Sequence, residues 1–258
     1  MQEKDIQPFI ILPTYNEREN IHPLVQRIIE VDPRFCILII DDNSPDGTGK
    51  LADELAEKFH QVHTLHRKTK MGLGTAYITG FKYALSQGAE YIFEMDADFS
   101  HDPSYLPQFL EAIQDSDLVI GSRYINGIRV EGWRFRRLLM SKLANMYASY
   151  IMVQPIWDFT SGFRCYRRAV LERINFDEIH SDGYAFQIEM VYHVLKNGFK
   201  VKEIPILFRE RKHGYSKISR KIVWEAFWTV LKLRAPLKVI LYHAREFFKD
   251  DKETLFNR

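Results

Sequence analysis

Continuous apolar runs, each ending abruptly in polar residues, dominate the first half of the chain. They occupy positions 9–12, 35–40 and 91–93, and a further strand is predicted over 62–65. Segments with apolar side chains at helical spacing separate the runs, for example 21–29 and 76–85. Strands that are apolar on both faces are typical of parallel sheets covered by helices on both sides. The pattern therefore predicts an α/β fold with a mostly parallel sheet flanked by helices. The run 201–208 is predicted to be its last strand.

Polar clusters follow three of the predicted strands. They are the segments 13–17, 41–42 and 96–98. Because the carboxyl ends of parallel strands lie at one edge of the sheet, these clusters are expected to meet there, where ligands of such folds bind. Their convergence favours a nucleotide site. Taken singly, each cluster is also explained by ordinary turn residues or by acids at the start of a helix.

Asp96 and Asp98 are the candidate metal ligands. In an extended segment, side chains two residues apart point the same way, so both carboxylates can bind one ion while Ala97 leaves room behind them. Carboxylate oxygens suit Mg²⁺ or Mn²⁺, which usually complete their shells with phosphate oxygens. The pattern predicts a metal site that binds a nucleotide diphosphate. The alternative is that Ser100 or Asp102 only caps the helix that follows.

Arg123 directly follows the predicted strand 117–120, so its guanidinium can offer two parallel hydrogen bonds to a phosphate. Long basic side chains in the following stretch more often just cover a helix surface. Gly72 and Gly74 resemble the start of a dinucleotide-binding fingerprint. Tyr77 stands where the third glycine belongs, which disfavours a nicotinamide cofactor.

Composition and charge exclude several classes of protein. The net charge of the 258 residues is only +2, so no overall field favours nucleic acid. Cys36 and Cys165 have neither metal-ligand spacing nor the density of a disulfide scaffold, and we expect both to be reduced. The N-terminus lacks the pattern of a signal peptide, and no apolar stretch reaches the roughly 18 residues of a membrane span. These features predict a cytoplasmic protein.

The region 218–248 has Trp and Phe side chains on one face and Lys and Arg on the other. This distribution is typical of helices that lie in a membrane interface. Packing onto the sheet or onto a second subunit explains the apolar face equally well. We predict a globular domain over 1–217 and amphipathic C-terminal helices over 218–258.

Motifs along most of the chain, from about 8 to 220, resemble glycosyltransferase family 2 enzymes with the Rossmann-like GT-A fold, and within them the dolichol-phosphate mannosyltransferases. The motifs are 13–20, 41–48, 72–76, 96–98, 121–124, 161–164 and 214–217. The resemblance implies that 1–217 is a metal-dependent catalytic domain. It also implies inverting transfer of mannose from GDP-mannose to a dolichyl-type or undecaprenyl polyprenyl phosphate.

The resemblance also implies which residues hold the nucleoside of the donor. Its base and ribose would contact Pro13, Tyr15, Glu17 and Asp42, with a backbone contact from Ile40.

The charged groups of the substrates are assigned by the same resemblance. Asp96 and Asp98 would bind the diphosphate through the metal, with Ser100 as a further ligand. Arg123 and Arg137 would bind the acceptor phosphate. Arg211 and Lys217 would lie near the donor phosphates. Asp98, Arg123 and Arg137 are therefore the expected catalytic residues.

Further expectations concern partners and location. The amphipathic region 218–248 predicts peripheral attachment to a membrane, on its cytoplasmic face. A membrane-anchored partner subunit and a homo-oligomer are the alternative assemblies. Two alternatives keep the enzyme class: a UDP-glucose donor, or a saccharide hydroxyl acceptor with Asp102 as base. A third is a non-catalytic subunit that binds a nucleotide sugar.

Overall fold

The computed structural model describes residues 7–210, 227–229 and 231–233. Strands and helices alternate along this part of the chain. The strands are β1 (Phe9–Thr14), β2 (Cys36–Asp41), β3 (Val62–His66), β4 (Tyr91–Glu94), β5 (Leu118–Ser122), β6 (Val130–Glu131), β7 (Arg164–Arg167), β8 (Val201–Pro205) and β9 (Phe208–Arg209). The helices are α1 (Arg18–Val31), α2 (Thr48–Lys58), α3 (Leu73–Ser86), α4 (Leu106–Ala112), α5 (Phe135–Met152), α6 (Arg168–Arg173) and α7 (Gly183–Lys196).

The main sheet has the strand order β3-β2-β1-β4-β7-β5-β8. Its neighbouring strands are parallel except at β7, which runs antiparallel to both β4 and β5. The predicted mostly parallel sheet is therefore confirmed. The antiparallel strand was not predicted, because its short sequence, Arg164–Arg167, mixes charged and apolar residues.

Burial of both faces of the sheet explains the continuous apolar strands. Leu38 and Ile40 of β2 point into one core layer, whereas Ile37 and Ile39 point into the other. Helices α3 and α7 contribute to the first layer, and α1, α2 and α4 to the second. Because the faces are filled with hydrocarbon, polar chemistry is left to the strand ends.

The predicted last strand, 201–208, is wrong in its extent. Strand β8 ends at Pro205, and Phe208–Arg209 instead pairs with Val130–Glu131 in a separate two-stranded sheet. Ile206, between the two strands, is buried and donates its N–H to the Ser122 carbonyl at 3.0 Å. The chain therefore turns from one sheet to the other immediately beyond the end of β5.

Two other expectations bear on the described part of the chain. Both cysteines are free, as predicted, and both are buried. Within the described residues, no helix has the length and hydropathy that crossing a bilayer requires. The amphipathic helices predicted for 218–258 lie outside the described residues, apart from 227–229 and 231–233, which are helical.

Gly80 sets how closely α3 approaches the sheet. A Cβ atom at this position would lie 2.6 Å from Cγ2 of Ile11 on β1. We expect Gly80→Ala to lower the free energy of unfolding by about 1 to 2 kcal/mol, because overpacking outweighs the gain in helix propensity. Urea denaturation measures the change. Lys82→Ala, on the exposed side of the same helix, is the control and should stay within about 0.5 kcal/mol of the parent; equal effects of both substitutions would contradict the packing explanation.

Candidate functional site

The polar clusters meet at one edge of the sheet, as predicted. Strands β2, β1 and β4 are neighbours, and their carboxyl ends carry the three clusters. Strand β7 is antiparallel, so the residues before it come to the same edge. A Cβ at Gly162 would lie 3.7 Å from Oδ1 of Asp96. The motif 161–164 therefore lies beside the carboxylates of the fourth strand.

Pro13 and Ile40 are register partners on β1 and β2, with Ile40 buried and Pro13 half-buried. Tyr15 follows β1, and the ammonium group of Lys70 lies 3.9 Å from the centroid of its ring. An aromatic face next to a cation and an aliphatic strand end is suited to stacking against a planar base. The sequence interpretation did not include Lys70.

The loops after β1 and β2 are joined by hydrogen bonds. Glu17 immediately precedes α1, and its N–H donates to Oγ1 of Thr48 at 3.0 Å. The N–H of Asn16 donates to Oγ of Ser44 at 3.0 Å. These bonds fix the Glu17 backbone relative to the end of β2.

Asp42 is buried and paired with the buried guanidinium of Arg67. The pair is bidentate, with a 2.7 Å bond from Nη2 of Arg67 to Oδ2 of Asp42. Arg67 also donates to Oγ1 of Thr75 at 2.7 Å and to the Gly72 carbonyl at 3.0 Å. Arg67 therefore links the predicted ribose-binding residue to the start of α3. Sequence reasoning missed it, and its only signal was that a buried carboxylate needs a partner.

The glycines before and within α3 accommodate a carboxylate of the protein itself. Oδ1 of Asp182 accepts a hydrogen bond from the Gly74 N–H at 2.7 Å. Gly72 has a φ of +103°, and a Cβ there would lie 2.5 Å from Oδ2 of Asp182. The Gly-Leu-Gly motif thus permits the close approach of Asp182.

Asp96 and Asp98 lie on a bend just beyond β4. The side chain of Asp96 is 37% exposed, whereas Asp98 is nearly buried. Ala97 between them is buried in the core. Oδ1 of Asp98 accepts from the Ser100 N–H at 3.0 Å, and Phe99 adopts a left-handed φ of +61°. The bend therefore exposes the Asp96 carboxylate and holds the Asp98 carboxylate against its own backbone at Ser100, which is buried.

His101 anchors this bend from behind. Its ring stacks on Phe163 with centroids 5.0 Å apart, and its Nδ1 accepts a hydrogen bond from the Asp96 N–H at 3.1 Å. Burial lowers the pKa of His101 to about 4, although the Asp98 carboxylate favours the charged ring. His101 is therefore neutral at physiological pH and free to accept that bond. Its position in the motif gave no indication of this role.

A buried polar layer lies beneath the bend. Oε2 of Glu94, the last residue of β4, accepts from Nε2 of Gln187 at 2.7 Å. Arg164 is fully buried and donates to the carbonyls of Phe159, Ser161 and Gln187 at 2.6 to 2.8 Å. Burial raises the pKa of Glu94 to about 7, despite the opposing effects of the Arg164 charge and the Gln187 amide.

Arg123 is buried at the end of β5 and forms a bidentate pair with Asp158. Its Nε and Nη2 donate to the two carboxylate oxygens at 2.7 and 2.6 Å, and Nη2 also donates to Oγ1 of Thr160 at 2.7 Å. Burial alone would lower the pKa of Arg123, but the Asp158 carboxylate raises it above its ordinary value. The backbone N–H of Asp158 in turn donates to Oε1 of Glu203 at 2.9 Å. The sequence predicts that the Arg123 guanidinium binds a phosphate. In the structure, its Nε and Nη2 atoms instead donate hydrogen bonds to Asp158 and Thr160.

Arg123 and Arg137 both lie next to the ring of one aromatic residue. The guanidinium carbons of Arg123 and Arg137 lie 5.4 and 4.1 Å from the ring centroid of Trp133. Arg137 is in the first turn of α5, and its Nη1 donates to Glu210 at 2.6 Å. The other two predicted basic residues, Arg211 and Lys217, lie outside the described residues.

The chain is similar to known proteins over most of its length. Residues 9–174 match the model of Glycosyl transferase family 2. Polyprenol monophosphomannose synthase of Mycolicibacterium smegmatis is 48% identical over 223 residues, which are 86% of this chain and 84% of that protein. Undecaprenyl-phosphate mannosyltransferase of Micrococcus luteus is 43% identical over 222 residues, 86% of this chain and 91% of that protein.

Solved structures share the fold at low identity. Glucosyl-3-phosphoglycerate synthase of Mycobacterium tuberculosis, in complex with Mn²⁺, UDP-glucose and phosphoglyceric acid, matches with a TM-score of 0.68 and 14% identity over 90% of this chain and 80% of that one. Another structure of the same enzyme matches with a TM-score of 0.64 and 13% identity, over 90% and 82% of the two chains. The predicted GT-A fold is confirmed.

Glu94 makes the stability of the protein depend on pH. Its folded-state pKa of about 7 exceeds the ordinary 4.5, so the unfolded chain ionises first as the pH rises. The stability contributed by neutral Glu94 is complete below the ordinary pKa and is lost as the pH rises through the folded-state value. We expect Glu94→Gln to remove this loss and to be more stable than the parent at about pH 8, by on the order of 2 kcal/mol.

Urea denaturation at about pH 5 and pH 8 measures this effect. Glu111→Gln, at an exposed position of α4, is the control and should keep the parent pH dependence. Parallel stability curves for Glu94→Gln and the parent would contradict the interpretation of Glu94.

Proposed function

Because the chain belongs to glycosyl transferase family 2, we propose that it transfers mannose from GDP-mannose to a polyprenyl phosphate, with inversion at the anomeric carbon. An oxygen of the acceptor phosphate forms the new bond to that carbon, the bond to the diphosphate oxygen breaks, and GDP leaves. In-line attack on an α-linked donor gives a β-linked product. The two mannosyl-transferring relatives, aligned over 86% of the chain, support this choice of sugar and acceptor.

One observation carries the proposal: a carboxylate bend and an arginine pair belong to the carboxyl-end edge of the same sheet. Asp96 and Asp98 follow β4, and Arg123 follows β5, where it and Arg137 both lie next to the ring of Trp133. The carboxylates can bind a metal ion that holds the donor diphosphate, and the arginines can bind the phosphate of the acceptor.

The donor side fits a divalent cation of the Mg²⁺ or Mn²⁺ type. In the part of the chain that the structure describes, no group of three or more His, Cys, Asp or Glu side chains forms a metal cage. A pair of carboxylates without further protein acids suits an ion that takes remaining ligands from substrate oxygens and water. When bound, the ion neutralises charge on the diphosphate leaving group. Asp96 and Asp98 would hold it, with Ser100 nearby.

The nucleoside would lie over the ends of β1 and β2. The ring of Tyr15 offers a stacking face, and Pro13 and Ile40 form the adjoining surface. Asp42 and Glu17 are the acceptors available for ribose and base groups; the oxygens of Asp42 retain lone pairs while bound to Arg67. The solved structures of similar fold contain UDP-glucose or UDP, so they do not bear on the choice of guanine. That GDP-mannose is the donor is therefore part of our proposal.

The acceptor side needs cations more than it needs a base. A phosphate monoester is already anionic at neutral pH, so its oxygen attacks without a strong general base. The demand on the protein is to hold two polyanions in line, which pre-oriented guanidinium groups meet at little reorganisation cost. Asp158 fixes the orientation of Arg123, and the stack on Trp133 fixes that of Arg137.

A saccharide hydroxyl acceptor is less well supported. That reaction requires a base, for which Asp102 is the candidate. In the structure, Asp102 already accepts a capping bond from the Ser104 N–H at 2.9 Å and pairs with Arg209 at 3.4 Å.

UDP-glucose is the second candidate donor, because it is bound in a solved structure with this fold. A polyprenyl chain is insoluble in water, so we further propose that the protein works at a membrane surface, on its cytoplasmic face.

The proposed reaction is tested by transfer of labelled sugar into organic-extractable lipid. GDP-mannose and UDP-glucose are offered separately with a polyprenyl phosphate, with Mg²⁺ or Mn²⁺ and with chelator. We expect metal-dependent label from GDP-mannose, and a loss of about 10²-fold or more in Asp98→Asn, because one metal ligand loses its charge. Asp115→Asn changes an exposed acidic residue shortly before β5 and should retain activity. Label from UDP-glucose alone would overturn the donor, and full activity of Asp98→Asn would overturn the metal site.

The acceptor site is tested by replacing two arginines near the start of α5, Arg137 and Arg134, and comparing the KM values for the acceptor. Arg137→Ala should raise the KM for polyprenyl phosphate about tenfold, because a charge-assisted hydrogen bond is lost, and leave the KM for the donor unchanged. Arg134→Ala, at the exposed N-cap of α5, removes the same charge and should change the acceptor KM less. Steady-state kinetics with each substrate varied in turn gives both values. A rise in the donor KM alone would assign Arg137 to the other substrate.

A further inference from the structure

Asn145 is a buried amide in the middle of α5. The buried residues of this helix are Asn145, Ala148 and Met152, and Asn145 is the polar one, with 2% of its surface exposed. Asparagine is a weak helix former, and burying its amide requires partners that replace water. The helix would be more stable with an apolar residue at this position, so the hydrogen bonds of Asn145 indicate what the amide contributes.

The amide of Asn145 forms hydrogen bonds through both its oxygen and its nitrogen. Oδ1 accepts from the Thr160 N–H at 3.2 Å, and Nδ2 donates to Oγ1 of Thr160 at 3.1 Å and to the Ser141 carbonyl at 3.0 Å. These bonds fix the orientation of the amide, because a flipped side chain would place its NH₂ group against the Thr160 N–H. Asn145 therefore joins α5 to both the backbone and the side chain of Thr160.

The Thr160 hydroxyl connects Asn145 to Arg123. Its oxygen accepts from Nη2 of Arg123 at 2.7 Å as well as from Asn145, and its O–H donates to Oδ1 of Asp158 at 3.3 Å. A hydroxyl has one O–H and two lone pairs, so these three bonds use its full capacity. Because Asp158 is itself paired with Arg123, the Thr160 oxygen closes a ring of contacts around Nη2.

A second contact joins the end of β5 to the same helix. Tyr124 directly follows Arg123 and donates its O–H to Oγ of Ser141 at 2.7 Å. Ser141 lies about one helical turn before Asn145, so the chain beyond β5 is attached to α5 at two points. Arg137 is in the first turn of α5, roughly two turns before Asn145. The separation of Arg123 and Arg137 therefore depends on how these contacts hold the helix against the end of β5.

We propose that Asn145 is a positioning residue for the acceptor site: through Thr160 it fixes the Arg123 guanidinium relative to α5, and so relative to Arg137. The inference rests on the proposed function, in which the two arginines bind one phosphate. Two cations contact one phosphate only if their separation is held, and a misplacement of about 1 Å is enough to weaken the alignment. Asn145 should therefore affect the acceptor and not the donor, whose proposed residues lie at the ends of β1, β2 and β4.

Steady-state kinetics of variants that remove or keep the linking groups tests the proposal. Thr160→Val removes the oxygen between Asn145 and Arg123 at nearly constant volume, and Asn145→Leu removes the amide. We expect each to raise the KM for polyprenyl phosphate about fivefold to tenfold and to leave the donor KM unchanged. Thr160→Ser keeps the oxygen and should behave like the parent. Equal acceptor KM values for Thr160→Val and Thr160→Ser would overturn the proposal.

Ser116→Ala controls for the loss of a buried hydrogen bond elsewhere in the protein. The Ser116 hydroxyl is buried and donates to the Ala112 carbonyl at 2.8 Å, before β5 and away from its carboxyl end. Its removal should lower the free energy of unfolding without changing either KM. A rise in the acceptor KM of Ser116→Ala equal to that of Thr160→Val would overturn the proposal, because the KM would then follow stability alone.

A double-mutant cycle separates positioning through Arg123 from general packing. If Asn145 acts through Arg123, Asn145→Leu should raise the acceptor KM no further once Arg123→Lys has removed the bidentate guanidinium. Additive effects of the two substitutions would overturn the proposal, since Asn145 would then affect the acceptor by another route.

The order of the Arg123 side chain can be measured without any substrate. In NMR spectra of protein with isotope-labelled arginine, the hydrogen-exchange rate of the Arg123 Nε–H, assigned with Arg123→Lys, reports how firmly the guanidinium is held. We expect exchange about fivefold faster in Asn145→Leu and Thr160→Val than in the parent and Thr160→Ser. An unchanged rate would overturn the proposal. Absence of sugar transfer by the parent would count against the proposed function alone, since the exchange rate is measured independently.

Discussion

The structure depends on burial of both faces of the central sheet. Strands such as β1 and β2 offer hydrocarbon to a layer of helices on each side, so no polar side chain can function along their length without an enclosed partner. The carboxyl ends of the parallel strands are the places where such partners and solvent are both available. Strand β7 runs the other way, which adds the residues before it, including Gly162, to the same edge. Substrate chemistry is therefore concentrated on one rim.

Charged groups on that rim are held by other parts of the protein. Asp42 is paired with Arg67, Arg123 with Asp158, and the Asp96 backbone with neutral His101. Breaking a buried pair by removing one partner costs roughly 3 to 5 kcal/mol, so these contacts keep their geometry before any substrate arrives. Groups that are already oriented stabilise developing charge without reorganising. The internal partners are thus positioning residues for the proposed reaction rather than competitors for its substrates.

The basic part of the rim is built around one aromatic ring. The guanidinium carbons of Arg123 and Arg137 lie 5.4 and 4.1 Å from the ring centroid of Trp133. Arg123 is also paired with Asp158, and Arg137 with Glu210. Both cations are therefore oriented before a substrate binds, which is what the proposed recognition of a phosphate requires.

The sequence by itself determined the α/β class, which of the predicted strands are followed by polar clusters, and the carboxylate and arginine candidates. These follow from local periodicity and from side-chain chemistry. The tertiary structure alone decided that β7 inserts antiparallel between β4 and β5, that the last strand ends at Pro205, and that Arg67, Asp158 and Asp182 are the partners of site residues. Asp182 lies 108 positions from Gly74. Such pairings depend on which segments the folded core brings together, and no local pattern encodes a contact over that separation.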